Sequence, residues 1–380
     1  MSIYFDNAAT TPLHPDVVDV MTQVLREDYG NPSSIHHIGR KAKSLVEKAR
    51  KTVATIINAS ISEVFFTSCA TESNNMILKN AVKDLGVRRI ISSPTEHHCV
   101  LHTLDILSSN HSCEIVYLKV DKLGRIDNNE LESLLNQDAP KTLVSIMHGN
   151  NEIGTLANID QIGQLCHQYG ALFHSDTVQT MGKYPIDVAK SHINFLSGSA
   201  HKFHGPKGSG FVFISNQNII SPYLNGGAQE RNMRAGTENV AGIIGLASAL
   251  DISNSKTAEN FTKILSLRQL FKSLLEAHFE DIRYNGPQND GFLAHVLSVS
   301  FPASPKADML VMNLDIAGIC ASSGSACSAG IEEDSHVLKA IGHPKDRKTI
   351  RFSFSPYNTE DEVRCAIENM KSMVATKNGG

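Results

Sequence analysis

Short apolar runs and helical apolar spacings alternate along the first two thirds of the chain. Ala42, Leu45, Val46, Ala49, Val53, Ile56 and Ile57 fall on one face of a helix, and Val240, Ile243, Ile244 and Ala247 repeat the spacing further on. Between these stretches seven short apolar segments read as strands, over 63–66, 89–92, 114–118, 143–147, 172–175, 193–197 and 210–214. Segments 127–135 and 159–169 read as helices. This alternation predicts an α/β fold, a mostly parallel seven-stranded sheet with helices on both faces.

The texture changes after about Asp251. A polar stretch over 253–256 leads into a long helix ending near Phe279, then strands over 296–301, 318–321 and 349–353 and a last helix from about Thr359. The pattern predicts three parts: an N-terminal arm (1–15) packing with the small domain, a large domain (16–252) and a smaller α+β C-terminal domain (253–380). We find no internal repeats or low-complexity tracts.

Composition narrows the function classes. Hydrophobic residues make up 41% and charged residues 19%, enough apolar material for a packed core. Lys and Arg total 35 against 39 Asp and Glu, with no basic stripe, so nucleic acid is not an expected partner. The N-terminus turns polar at once and no apolar run is long enough to cross a bilayer, so neither export nor membrane insertion is expected. Seven cysteines with no CxxC pair read mostly as free thiols in a reducing, cytoplasmic setting.

Four segments could carry chemistry. Ser199-Ala200-His201-Lys202 follows a strand on a Gly- and Pro-rich turn, where a lysine can form a Schiff base beside hydroxyl and imidazole donors for an anion. A surface turn with solvated lysines would look similar. Ser68-Cys69-Ala70-Thr71 reads as a strand-to-helix turn whose free N–H groups suit a phosphate, or as plain helix capping. Asp176 closes a strand where α/β sheets bind ligands, and it would also serve as a helix N-cap. Ser323-Gly324-Ser325-Ala326-Cys327-Ser328 surrounds a cysteine with small residues, which predicts an exposed, mobile loop and a nucleophile needing a nearby base or cation. Lysine, aspartate and phosphate cradle together point to pyridoxal 5'-phosphate (PLP), with the aspartate keeping the pyridine nitrogen protonated.

The constellation resembles the cysteine desulfurases, PLP-dependent transferases of fold type I. The resemblance rests on Tyr4-Phe5-Asp6-Asn7-Ala8-Ala9-Thr10-Thr11-Pro12, Thr95-Glu96-His97, Asn150-Asn151-Glu152, Arg234-Ala235-Gly236-Thr237-Glu238-Asn239, Ser323-Gly324-Ser325-Ala326-Cys327 and Thr349-Ile350-Arg351-Phe352-Ser353. It implies that Lys202 is the Schiff-base lysine, that Asp176 pairs with the ring nitrogen, and that His97 stacks on the ring and takes part in proton transfer. It further implies that Gln179 bonds the ring hydroxyl and that Ala70, Thr71, Ser199 and His201 cradle the phosphate. Thr237 would reach the phosphate of a second subunit, implying a homodimer with shared sites. Asn151 and Arg351 would hold the substrate carboxylate, and Cys327 would carry sulfur from L-cysteine as a persulfide to an acceptor scaffold protein, as in iron–sulfur cluster assembly. Zinc is not expected, since His97-His98 lacks ligand spacing. An aminotransferase, a cysteine lyase or a selenocysteine lyase would share Lys202 and Asp176 without needing Cys327 in the same way. A cofactor-free cysteine hydrolase or binding module would need neither.

Overall fold

The computed structural model describes residues 2–110, 113–138, 140–323 and 335–377. Twelve strands are present among them: β1 (Ile3–Tyr4), β2 (Val64–Thr67), β3 (Arg89–Ser92), β4 (Glu114–Tyr117), β5 (Thr142–Ser145), β6 (Leu172–Asp176), β7 (Phe195–Ser199), β8 (Gly210–Ile214), β9 (Arg283–Asn285), β10 (Val296–Pro302), β11 (Ile319–Cys320) and β12 (Arg347–Ser353). Seven form one sheet in the order β2-β8-β7-β6-β5-β3-β4, parallel from β7 to β4, with β8 antiparallel to both of its neighbours. This is the mostly parallel seven-stranded sheet that the apolar runs predict.

Side-chain alternation explains how helices cover both faces. Phe66, Ile91, Val144, Leu196 and Phe211 pack in one apolar cluster with the helices His37–Ile56 and Val240–Ser255. Their chain neighbours Phe65, Ile90, Leu143, Phe195 and Val212 point the other way, into a cluster with the helices Ala70–Asp84 and His98–Ser109. A strand buried on both faces therefore reads as a continuous apolar run rather than an alternation. The edge strand β4 is only half covered, and its Glu114 and Tyr117 are exposed.

A second core gathers Phe271 and Leu275 of the helix Thr257–His278, Leu297 and Val299 of β10, Phe352 of β12 and Val363 of the helix Glu360–Met370. Ile3 and Phe5 belong to it as well, and β1 pairs in parallel with β11. β12, β10 and β9 form an antiparallel sheet. The helical run from 240 to 278 is interrupted at Lys256. The last helix starts where Thr359 and Glu362 form a capping box. No helix among the described residues is long and apolar enough to cross a membrane.

Candidate active site

The parallel strands β3, β5, β6 and β7 all end on one side of the sheet, at Ser92, Ser145, Asp176 and Ser199. Ligands of open α/β sheets bind at such carboxyl ends. Asp176 is the last residue of β6, buried, and its Oδ2 accepts from Asn74 Nδ2 at 2.7 Å while Oδ1 accepts from Val178 N at 3.0 Å. Asn74 Oδ1 faces His174 Nε2 at 3.1 Å, and His174 Nδ1 faces Ser145 Oγ at 2.9 Å. Burial pushes the His174 pKa down to about 3, so the imidazole is neutral. A carboxylate only accepts, so the Asn74 amide turns its NH2 to Asp176 and its oxygen to His174, whose Nε2 then donates.

Lys202 sits on the short turn after β7, its Nζ donating to Ala8 O at 2.6 Å and to Ala9 O at 2.8 Å. Gln179 Nε2 donates to the same Ala8 carbonyl at 3.0 Å, and its Oε1 faces His295 Nε2 at 3.1 Å. Lys202, from the turn after β7, and Gln179, just past the end of β6 at Asp176, thus meet at one carbonyl although they leave different strands. His97 precedes the helix His98–Ser109, and its Nδ1 accepts from Cys99 N at 3.2 Å. Burial holds its pKa below the ordinary histidine value; Lys202, His98 and His336 act in the same direction and Asp176 against them.

The helix at Ala70 begins without a side-chain cap: Cys69 occupies the N-cap position and makes no capping bond. The capping alternative for Ala70 and Thr71 is therefore not realised, and the first-turn N–H groups stay available to an anion. Gly210 lies between the ends of β2 and β7, paired with Thr67 on one side and Ser199 on the other. A Cβ there would lie 2.8 Å from Cys69 Cα, so only glycine lets the helix start come this close to Ser199. His201 Nδ1 lies 3.2 Å from Thr10 Oγ1, and burial followed by the charges of Lys202, Lys207 and Lys183 pushes its pKa down to about 4.

Arg351 is fully buried on β12, with Nη1 donating to Asn151 O at 2.9 Å and Nη2 to Asp6 Oδ1 at 2.8 Å. Its Nε has no partner among the described residues. Cys327, expected as nucleophile, lies outside the described residues, as does Asp334. The flanking residues are fixed. Ser322 pairs with Arg351 through N–H to O bonds of 3.3 and 2.7 Å. On the other side Ser335 caps the helix His336–Ala340 and bonds Glu152, while His336 Nε2 lies 2.8 Å from Glu96 O.

Thr237 does not join this group within one chain; it is exposed on a segment that follows three residues with positive φ, Glu230 (45°), Arg231 (55°) and Asn232 (65°). Glu230 anchors that turn through Arg50, at 2.5 and 2.9 Å, and through Phe66 N at 2.7 Å. Residues that motif reading missed include Asn74, Cys99, Asp6, His295 and the carbonyls of Ala8 and Ala9. For Asn74 a signal was present: Ala70, Asn74, Ile77 and Ala81 share one buried helix face, where a polar residue must have a partner.

Fold and site geometry together define the fold-type-I group of PLP enzymes, and the donor set fits the cofactor. A carboxylate suits a protonated ring nitrogen, an amine an aldehyde, an amide a ring hydroxyl, and an uncapped helix start a phosphate. A match to the aminotransferase class-V family spans residues 3–365. The chain is 43% identical over 378 residues to a protein of Bacillus subtilis (strain 168) named putative cysteine desulfurase IscS 1, covering 98% of each. A solved structure called NifS-like protein superposes with a TM-score of 0.90 at 38% identity, over 98% of this chain and 99% of that one. Another, described as SspA in complex with cysteine, has a TM-score of 0.81 at 32% identity, over 94% of this chain and 100% of the other. The chain belongs to the aminotransferase class-V family, in its cysteine desulfurase branch.

Proposed function

We propose that the chain binds PLP and converts L-cysteine to L-alanine, passing the sulfur to Cys327 as a persulfide. The observation that carries the reading is the meeting of Lys202 and Gln179 at the Ala8 carbonyl, on the side of the sheet where Asp176 ends its strand. Lys202 would hold the cofactor covalently, Asp176 its ring nitrogen and Gln179 its ring hydroxyl, with His97 over the ring. Ala70, Thr71, Ser199 and His201 would take the phosphate, joined by Thr237 from a second copy of the chain. When bound, the cofactor supplies an electron sink for the substrate Cα.

The remaining work falls to the chain. The Arg351 guanidinium, beside Asn151, offers the substrate carboxylate a planar fork, for which Asp6 must share or yield its bond. The Lys202 amine would serve as base at the substrate Cα. The Cys327 thiolate would then attack the substrate sulfur: an S–S bond forms and the Cβ–S bond breaks with its electron pair left on carbon, Cβ takes a proton, Lys202 returns a proton to Cα, and alanine leaves. The bonds that Ser322, Ser335 and His336 make support this role, because they fix both flanks of segment 324–334 beside Arg351, Glu152 and Glu96. The relative solved with cysteine supports the substrate class. A homodimer handing persulfide sulfur to a scaffold protein completes the reading.

The test is product analysis of the holoenzyme incubated with L-cysteine and a reducing thiol. Alanine and sulfide are expected in matched amounts, both lost in Cys327→Ala while the bound cofactor's absorbance persists. Pyruvate and ammonia in their place would make the enzyme a lyase.

A further inference from the structure

Cys99 lies between His97 and Asn74, the residue that bonds the Asp176 carboxylate. Its Sγ is 3.0 Å from His97 Nδ1 and 3.3 Å from Asn74 Nδ2, and the same Asn74 nitrogen bonds Asp176. The directions of these bonds follow from one that cannot be reversed. The backbone N–H of Cys99 can only donate, so His97 Nδ1 is an acceptor carrying a lone pair, and the imidazole proton resides on Nε2. The Cys99 thiol beside that lone pair must then donate too, leaving its sulfur to accept from Asn74. Burial supports a neutral thiol, pushing its pKa up to about 12.

We propose that Cys99 and Asn74 are positioning residues of the reaction, holding His97 in the Nε2–H tautomer and tying it to the Asp176 carboxylate through Cys99 Sγ, Asn74 Nδ2 and Asp176 Oδ2. The inference rests on the PLP reading for what His97 does. A second proton on Nδ1 would face two donors, so the line opposes protonation of His97. The other groups facing the imidazole are Asp176 from β6, Lys202 from the turn after β7, His98 on its own helix and His336 from the helix His336–Ala340.

The decisive experiment titrates 15N-labelled histidine by NMR in the apo chain, with the His97 signal identified from its loss in His97→Asn. Wild-type His97 should show a protonated Nε2 and an unprotonated Nδ1. Cys99→Ala should take its second proton at higher pH than wild type, and Cys99→Ser, which restores a donor, should return the titration towards it. In the holoenzyme Cys99→Ala should lower kcat for alanine formation about two- to tenfold, the worth of one neutral hydrogen bond, with the acidic limb of the pH profile moved up. A wild-type His97 protonated on Nδ1, or a Cys99→Ala titration matching wild type, overturns the proposal. Loss of the desulfurase reading would appear separately, as absence of alanine from the wild-type enzyme with the NMR result intact.

Discussion

Replacing Glu230 with Ala would leave the Arg50 guanidinium buried without its carboxylate. Both side chains are 3% exposed, and their two bonds of 2.5 and 2.9 Å make a bidentate fork. Removing one partner of such a pair costs about 3–5 kcal/mol, because the remaining charge stays desolvated. Phe66 N–H on β2 also loses its acceptor, for which roughly 1–3 kcal/mol is usual. Against this, Arg50 keeps Val64 O at 2.9 Å, Glu47 at 3.1 Å and the Phe66 ring at 4.8 Å, so we place the net loss at about 3–4 kcal/mol. Arg50→Met combined with Glu230→Leu should cost less than Glu230→Ala alone, since no charge is stranded. The readout is urea unfolding followed by circular dichroism, with bound PLP measured on the same samples. Glu230 also fixes the left-handed turn ahead of Thr237, so cofactor retention should weaken along with stability. A Glu230→Ala protein within about 1 kcal/mol of wild type, or a double variant costing the sum of its singles, would refute the reasoning.

Two further outcomes follow from packing and titration. Gly163→Ala in the helix Ile159–Gln168 should destabilise by about 1–3 kcal/mol although alanine favours helix by about 1 kcal/mol, because its Cβ would lie 1.8 Å from Ser191 O; an equal or higher melting temperature would contradict this. Acid should destabilise through His148 and His174, whose pKa values burial pushes down to about 4 and about 3. Their contribution is complete above the unfolded value near 6.5 and falls with pH towards the folded values, up to about 2 kcal/mol each by pH 5. Glu96 works in the opposite sense, since burial raises its pKa well above the ordinary carboxylate value, so its stability gain comes as pH falls. Urea midpoints should therefore drop from pH 7 to pH 5, and more steeply in Glu96→Gln; a flat profile in both would count against the buried-histidine account.

The central strands were legible because burial on both faces concentrates apolar residues: 89–92 and 210–214 match β3 and β8 residue for residue. β9, three residues with only Asn285 buried, carries too little apolar signal to stand out. That Lys202, Asp176 and the Ala70 turn lie at strand ends was readable because each directly follows or closes an apolar run. The carbonyls of Ala8 and Ala9 were not, since a backbone acceptor has no sequence signature. The turn at 230–232 was hidden for a related reason: its left-handed φ values occur without glycine, enforced by a contact between Glu230 and Arg50 far apart in sequence.

The pairing of β1 with β11 makes the arm a bridge between the two cores. Ile3 and Phe5 bond Gly318 O and Cys320 O, Ala8 N bonds Ser353 Oγ, and the carbonyls of Ala8 and Ala9 receive the Lys202 amine. Residues 3–8 are thus docked by strands that lie far along the chain, a contact of long loop length. The turn that carries Lys202 holds the same arm from the other side, with Thr11 N donating to His201 O at 2.8 Å and His14 N to His204 O at 3.0 Å. The two carbonyls that receive the lysine are therefore clamped between the large sheet and the small domain, so a shift of one against the other would be felt at the amine.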